Sequence, residues 1–246
     1  MASVRVRFLG SGDAFGSGGR LQTCILLESH GCSCLLDCGA SSLISLKGAA
    51  VDPSGIDTIL ITHLHGDHFG GVPFFILDGQ FSGRSNHLRI AGPPGIGTRV
   101  AEAMEVFFPG SSDARLNFDV HFQELPEAVG TLVGLVRVTP FEVLHASGAP
   151  AYALRIELDR RVITFSGDTE WTDRLAAAAS GADLFICESY FYEKRVPFHL
   201  DYSTLMKHRS ELDCKRIVLT HMSSDMLSRL PELPVQAAHD GLEIVL

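Results

Sequence analysis

The segment from Thr62 to Gly71, THLHGDHFGG, places three histidines and one aspartate within six residues. It directly follows the apolar run 58–61. Such side chains are seldom buried in an apolar core, because histidine titrates near neutrality and aspartate is strongly hydrated. Neutral imidazole and ionised carboxylate are, however, good ligands for zinc and related divalent ions. The cluster therefore predicts a metal site.

The spacing within this cluster favours two ions over one. His63 and His65 are two residues apart and would project to one side of an extended segment, while Asp67 and His68 continue round the turn. Four ligands from one loop are too many for a single open catalytic ion that also has distant ligands. They suit two ions about 3.5–4 Å apart, as in two-metal hydrolases.

These residues must be positioned by a framework of short strands and helices. Hydrophobic periodicity and turn residues predict strands over 4–9, 24–27, 32–37, 58–62, 117–122, 132–138, 152–158, 162–166, 182–188, 216–220 and 242–246. The same criteria predict helices over 41–48, after GPPG through about residue 107, over 171–179 and over 203–212.

The order of these elements predicts one domain over residues 1–246. Two β-rich halves, each with helices after strands, predict an α+β fold: a four-layer αββα sandwich of two mixed sheets flanked by helices. The polar segments THLHGDH, VLHASG, SGDTEW and LTHMSS fall at strand ends or just after them. Loops of this kind collect along one edge of a sheet, where active sites are built.

Composition narrows the function classes. The chain has 246 residues and a formal net charge of −9, with no run of Lys or Arg, so an extended nucleic acid is not an expected partner. A small anionic substrate is expected, provided that a local cation neutralises it. The sequence has no membrane-span pattern and no signal-peptide pattern, which predicts a cytoplasmic protein without a membrane partner. The six cysteines are expected to be buried free thiols.

THLHGDHFGG resembles the HxHxDH signature of the metallo-β-lactamase superfamily. FLGSGDAFGSGGRLQTCILLES and LLDCG resemble its opening motifs, and HASG, SGDT and THMS resemble later ones. The resemblance implies that one ion is bound by His63, His65 and His145. It implies that the other ion is bound by Asp67, His68 and His221, with Asp168 bridging both. Asp37 would accept a hydrogen bond from a ligand imidazole.

Each of the later ligands has a simpler alternative. An isolated histidine such as His145 or His221 is more often structural than a metal ligand, and Asp168 in SGDT would serve well as a helix cap. Their match to the superfamily motifs favours the ligand role.

Other residues distinguish branches of the superfamily. Class B lactamases commonly have Cys where Asp168 stands, which disfavours antibiotic hydrolysis. The segments GPPG (Gly92–Gly95), FICESYFYEK and FHLDYSTL instead resemble ribonuclease Z and its phosphodiesterase relatives. The resemblance assigns Asp67, Glu188 and His199 to the catalytic step, with Glu188 and His199 assisting the phosphate or leaving group. Two departures, Cys187 in place of the usual His and the lack of a long basic insertion, argue against tRNA processing.

Three functions stay open at this point. The leading one is a dinuclear phosphodiesterase that acts on a small or nucleotide-like phosphodiester through a metal-bridging hydroxide. The second is a thioester or lactone hydrolase on the same fold, and the third is a non-catalytic or redox di-iron protein. We expect two divalent ions, zinc first, with manganese or iron as alternatives. The sequence is compatible with a homodimer but does not determine the oligomeric state.

Overall fold

A computed structural model describes residues 3–246 as strands, helices and short loops. The strands, in chain order, are β1 (Arg5–Gly10), β2 (Cys24–Ser29), β3 (Cys32–Leu36), β4 (Thr58–Leu60), β5 (Leu88–Gly92), β6 (Val120–Glu124), β7 (Thr131–Val133), β8 (Val136–Val143), β9 (Ala151–Leu158), β10 (Arg161–Phe165), β11 (Leu184–Glu188), β12 (Ile217–Thr220), β13 (Gln236–Ala237) and β14 (Glu243–Val245). The α-helices are α1 (Ser42–Gly48), α2 (Gly66–Phe69), α3 (Val72–Ser82), α4 (Ile96–Phe107), α5 (Asp173–Ala179), α6 (Tyr202–Lys207) and α7 (Ser224–Arg229).

The strands form two seven-stranded mixed sheets. The first has the order β14-β1-β2-β3-β4-β5-β6, and the second has the order β13-β12-β11-β10-β9-β8-β7. β3 to β6 are parallel to one another, as are β10 to β13. The predicted α+β sandwich of two mixed sheets is therefore confirmed.

The apolar core has three layers, because the two sheets pack face to face and helices cover the outer face of each. Between the sheets lie fully buried apolar side chains of both, among them Phe8, Ile25, Leu154 and Ile186. A second apolar cluster fills the space between the first sheet and helices α1, α3 and α4, and a third lies between the second sheet and helices α5 to α7. β11 is covered on both faces, so all five of its residues are buried, as expected for an interior parallel strand.

The structure differs from the predicted elements in several places. The segment predicted as one strand over 132–138 is a hairpin, because Gly134 has a φ of 60° and Val133 pairs with Val136. Helix α3 was not predicted at all. Its sequence, VPFFILDGQFS, is apolar around most of its circumference and therefore lacks the stripe that identifies an amphipathic helix.

The strand directions bring several loops to one edge of the sandwich. β3 and β4 are parallel in the first sheet, and β8, β10, β11 and β12 run in one direction in the second. The segments that follow these strands contain the polar motifs. Within residues 3–246, no helix combines the length and apolar character needed to cross a bilayer.

Candidate metal centre

The loops after β3 and β4 are joined by the buried carboxylate of Asp37. Its Oδ1 accepts a hydrogen bond from the Thr62 backbone N–H at 2.8 Å, and its Oδ2 accepts one from the Thr62 hydroxyl at 2.8 Å. Nδ1 of His68 lies 2.6 Å from the same Oδ2. This contact, which the sequence predicts for Asp37, fixes the His68 ring and turns its Nε2 toward the other ligand-type residues.

Two glycines allow these loops to pack closely. A Cβ on Gly71 would lie 2.2 Å from the Gly39 carbonyl oxygen, and a Cβ on Gly39 would lie 2.3 Å from the Asp67 carbonyl oxygen. The backbone bonds from Cys38 N–H to His68 O and from Gly71 N–H to Cys38 O hold the same contact. The backbone carrying Asp67 and His68 is therefore fixed from both sides.

The first group of ligand-type side chains contains His63, His65 and His145. One ring nitrogen from each lies within 4.8 Å of the others, and His145 Nε2 is 3.0 Å from His65 Nδ1. His145 follows β8 and comes from the second sheet. Its Nδ1–H donates to the Phe198 carbonyl oxygen at 2.8 Å, which leaves Nε2 facing the other two rings.

The second group contains Asp67, His68, Asp168 and His221, whose ligand-type atoms also lie within 4.8 Å of one another. His221 Nε2 is 3.2 Å from Asp67 Oδ2 and 3.4 Å from His68 Nε2. His221 has a φ of 55°, in the left-handed region that non-glycine residues rarely adopt. Such strain is typical of functional sites, where the surrounding structure fixes an unfavourable backbone conformation.

Asp168 lies between the two groups. Its carboxylate oxygens are 3.4 Å from His68 Nε2, 3.5 Å from His221 Nε2 and 3.9 Å from His63 Nε2. The preceding Gly167 has a φ of 58°, and a Cβ there would lie 2.9 Å from a backbone oxygen of β9. The turn after β10 thus requires glycine to bring this carboxylate against both groups.

The unpaired atoms of this cluster fit a bound cation. His63 Nε2 and Asp168 Oδ1 are buried without a hydrogen-bond partner, which is costly for polar atoms unless another species satisfies them. Burial holds the pKa of His63 well below its usual value, so its imidazole is neutral, the form that binds metals. Although burial opposes it, the charges of His221 and His68 hold the pKa of Asp168 well below its usual range.

Glu188 and His199 form a pair beside the second group. Glu188 is fully buried at the end of β11, where it accepts a hydrogen bond from the Thr169 N–H, and its Oε2 lies 3.1 Å from His199 Nδ1. Burial and the neighbouring Asp168 charge raise the pKa of Glu188 to about 7. Burial acts to lower the pKa of His199, but the hydrogen bond with Glu188 and its charge raise it overall.

A cleft of about 220 Å³ opens onto these side chains. It is lined by Ala14, Phe15, His65, Asp67, Asp168, Tyr190, His199 and His221. The sequence analysis did not single out Tyr190, whose ring centroid lies 4.8 Å from that of His199. Its position two residues after the buried end of β11 was the available signal.

The GPPG segment is not among the residues that line this cleft. Its Gly95 N–H donates to a carboxylate oxygen of Glu124 at 2.8 Å. The segment therefore begins helix α4 and bonds to the end of β6. Its resemblance to the family motif reflects the fold rather than contact with the two groups of ligand-type side chains, the metal groups.

Comparison with known proteins agrees with this geometry. Residues 4–233 match the model of a family described as Anti-Pycsar protein Apyc1. Ribonuclease Z of Enterococcus faecalis is 27% identical over 283 residues, covering 92% of this chain and 89% of the relative. The crystal structure of human tRNase Z, short form, superposes with a TM-score of 0.79 at 25% identity and covers 98% of both chains.

The metallo-β-lactamase fold protein YhfI from Bacillus subtilis superposes with a TM-score of 0.77 at 21% identity, covering 99% of this chain and 100% of that one. These matches confirm the metallo-β-lactamase fold and its ribonuclease Z-like branch.

Proposed function

We propose, from the premise that this chain belongs to the Anti-Pycsar protein Apyc1 family, that it is a metal-dependent hydrolase of a small or nucleotide-like phosphodiester. The observation that carries the proposal is the meeting of seven ligand-type side chains, in two adjoining groups, beside the Glu188–His199 pair. His199 and four of the ligand-type residues line one cleft: His65, Asp67, Asp168 and His221. Such a constellation matches the requirements of two-metal phosphodiester hydrolysis.

His63, His65 and His145 would hold one ion. Asp67, His68 and His221 would hold the other, and Asp168 would contact both. Two divalent ions bound there supply Lewis acidity, which activates water and offsets the negative charge of the phosphate. Zinc is the first metal proposed, because imidazole and carboxylate are ligands that zinc accepts, and manganese or iron are the alternatives.

His199 would protonate the leaving oxygen. Its Nδ1 is engaged by Glu188, so Nε2 is the nitrogen left to face the cleft. Glu188 would act as a positioning residue, held by the Thr169 N–H and by its own N–H bond to the Ser166 hydroxyl at 2.9 Å. Asp67 would serve the reaction as a ligand, with its carboxylate fixed against His221 at 3.2 Å.

The size of the substrate is part of the proposal. The relatives' name, ribonuclease Z, indicates RNA substrates for those proteins, which conflicts in part with the expectation that extended nucleic acid is no partner of this chain. The net charge of −9 would repel a polyanion, and the cleft of about 220 Å³ suits a small diester. We therefore propose the smaller substrate class.

The alternative on this fold is a thioester or lactone hydrolase. A thioester hydrolase would have less use for the Glu188–His199 pair, because a thiolate leaves without a proton. A redox di-iron protein would have no use for a proton donor placed at the cleft.

Metal analysis of the purified protein, followed by a substrate screen, tests these functions. The screen contains bis-p-nitrophenyl phosphate, purine and pyrimidine cyclic nucleotides, precursor tRNA, thioesters and lactones. We expect two equivalents of metal and hydrolysis of the small diesters. Activity confined to thioesters or lactones would favour the alternative, and specific cleavage of precursor tRNA would overturn the small-substrate proposal.

We also propose a cytoplasmic location and a homodimer. Light scattering at several protein concentrations tests the second directly. We expect a mass near twice the 26.6 kDa of the chain, and a mass equal to that of one chain at all concentrations would exclude the dimer.

A further inference from the structure

Phe15 combines a position in the cleft with unusual exposure. It lines the cavity that contains Asp67, Asp168 and His221, yet 86% of its surface is accessible. An exposed phenylalanine loses the free energy that burial of its ring would supply. Single exposed apolar residues are common on protein surfaces, but Phe15 differs from them in lining the cleft and in the hydrogen bonds that hold its loop.

The loop that carries Phe15 is fixed by a buried carboxylate. Asp13, which is 1% exposed, accepts hydrogen bonds from the Ser17 N–H at 2.8 Å, the Ser17 hydroxyl at 2.7 Å and the Phe15 N–H at 3.3 Å. Gly16 has a φ of 70°, which this turn needs to reverse direction. The Gln22 side-chain amide donates to the Ala14 carbonyl at 3.1 Å. The ring is thus presented from a rigid backbone.

A second hollow adjoins Phe15, and none of the residues that line it belongs to the groups of ligand-type side chains. It has a volume of about 410 Å³, and its walls include Phe15, Arg20, Gln22, Ser41 and Ile44. Ile44 is 71% exposed, so the rim carries two uncovered apolar side chains. The Phe15 side chain lines both this hollow and the cleft over the metal groups.

Arg20, the charged side chain on the walls of this hollow, already has hydrogen-bond partners. The guanidinium of Arg20 donates to the Ala238 carbonyl and to the Ser11 hydroxyl, and burial lowers its pKa from the usual value. Arg20 is therefore a structural cation of the loop. An uncharged flat group would suit the hollow better than a second phosphate would.

We propose that Phe15 is a stacking platform for the base of a nucleotide substrate whose phosphodiester lies over the metal groups. This inference rests on the proposed function and names the part of the substrate that the second hollow receives. Because every base has a π-face, stacking on Phe15 favours nucleotides over diesters without a base and discriminates little between bases. Phe15 is in this sense a specificity-determining residue and takes no part in proton transfer.

The test compares Phe15→Ala with the wild-type holoenzyme on two substrates, a 3′,5′-cyclic nucleotide and ribose 3′,5′-cyclic phosphate, which lacks the base. Loss of one stacking contact should raise KM for the cyclic nucleotide about tenfold. kcat should stay within about twofold, and the kinetics of the abasic diester should be unchanged. Phe15→Tyr should restore the wild-type KM. Phe81→Ala, which removes a ring that is 88% exposed on α3, is the matched control.

Equilibrium dialysis with a cyclic nucleoside phosphorothioate provides a readout without turnover, and its dissociation constant should rise in parallel. Equal losses on both substrates, or no loss on either, would overturn the stacking site while leaving the phosphodiesterase assignment intact. A wild-type protein that hydrolyses neither substrate would instead overturn the proposed function and this inference with it.

Discussion

His199 is the side chain on which the proposed proton transfer depends. If it protonates the leaving oxygen, His199→Ala should lower kcat by about 10²-fold or more while both metals stay bound. The defect should be small for p-nitrophenolate, which leaves without a proton, and large for alkoxide leaving groups. Steady-state kinetics on both diester types, with metal content measured on the same samples, checks this.

The exposed His30 offers a matched control, because His30→Ala removes an imidazole far from any ligand-type cluster. Equal losses on the two diester types would indicate that His199 binds ground-state phosphate. Loss of metal from His199→Ala would make it a ligand instead.

Asp168 is the residue proposed to contact both metal ions. Asp168→Ala removes the carboxylate that lies 3.4–3.9 Å from His68, His221 and His63. Metal content and activity should therefore fall together, as determined by elemental analysis and by kinetics. The exposed Asp113→Ala should change neither. A fully loaded, fully active Asp168→Ala protein would contradict the bridging role.

The spacing of THLHGDH was enough to predict that its histidines and aspartate gather with ligand-type side chains from later segments, because a short-range pattern encodes local geometry. That these residues bind metal stays a prediction. Phe15 and Tyr190 were not predicted as cleft residues, since neither has a spacing relation to a ligand. Their positions depend on how separate loops meet at the edge of the sandwich, which periodicity does not report.

At the scale of elements, the turn after β3 and the segment after β4 lie in backbone contact through Gly39 and Gly71. A methyl group on Gly71 would meet the Gly39 carbonyl oxygen at 2.2 Å, so the backbone itself would have to move. Gly71→Ala should destabilise the fold by about 1–3 kcal/mol, as overpacking does, and should also weaken metal binding. Denaturant unfolding and metal titration measure the two effects.

Gly48→Ala is the matched control, because a Cβ at Gly48 has no heavy atom within 4 Å. Its stability should be unchanged or slightly higher. If Gly71→Ala behaved like Gly48→Ala, the contact would have no role in holding Asp67 and His68.

The sequence predicted those helices and strands in which apolar residues recur at a regular spacing. Helix α4 repeats buried residues at Ile96, Val100 and Met104, and the analysis located it. Helix α3 and strand β5 were missed, because α3 has no polar face and β5 is a short buried run without alternation. The hairpin of β7 and β8 was merged into one strand, since a two-residue turn at Gly134 hardly interrupts the apolar pattern.

For the whole molecule, the proposed metal ligands come from both sheets. His63, His65, Asp67 and His68 follow β4, whereas His145, Asp168 and His221 follow strands of the second sheet. Bound metal should therefore stabilise the native sandwich by mass action, by about 2.7 kcal/mol at a hundredfold excess over the dissociation constant. Chelation should lower Tm by roughly 5–10 °C for a chain of this size.

Calorimetry before and after chelation, followed by readdition of zinc, measures this difference. Zinc should restore Tm in full. A Tm that stays constant while the metal is removed would show that the ligand loops hold their positions without help from the ions.

The distribution of ligands along the chain also affects biosynthesis. The residues proposed as ligands from the first sheet lie between His63 and His68. His221, by contrast, follows β12 of the second sheet, close to the end of the chain. During translation, the early histidines leave the ribosome long before their counterparts exist. If the proposed centre binds metal, we therefore expect the ion to bind late, after both sheets have largely formed, and to stabilise the assembled sandwich rather than nucleate it.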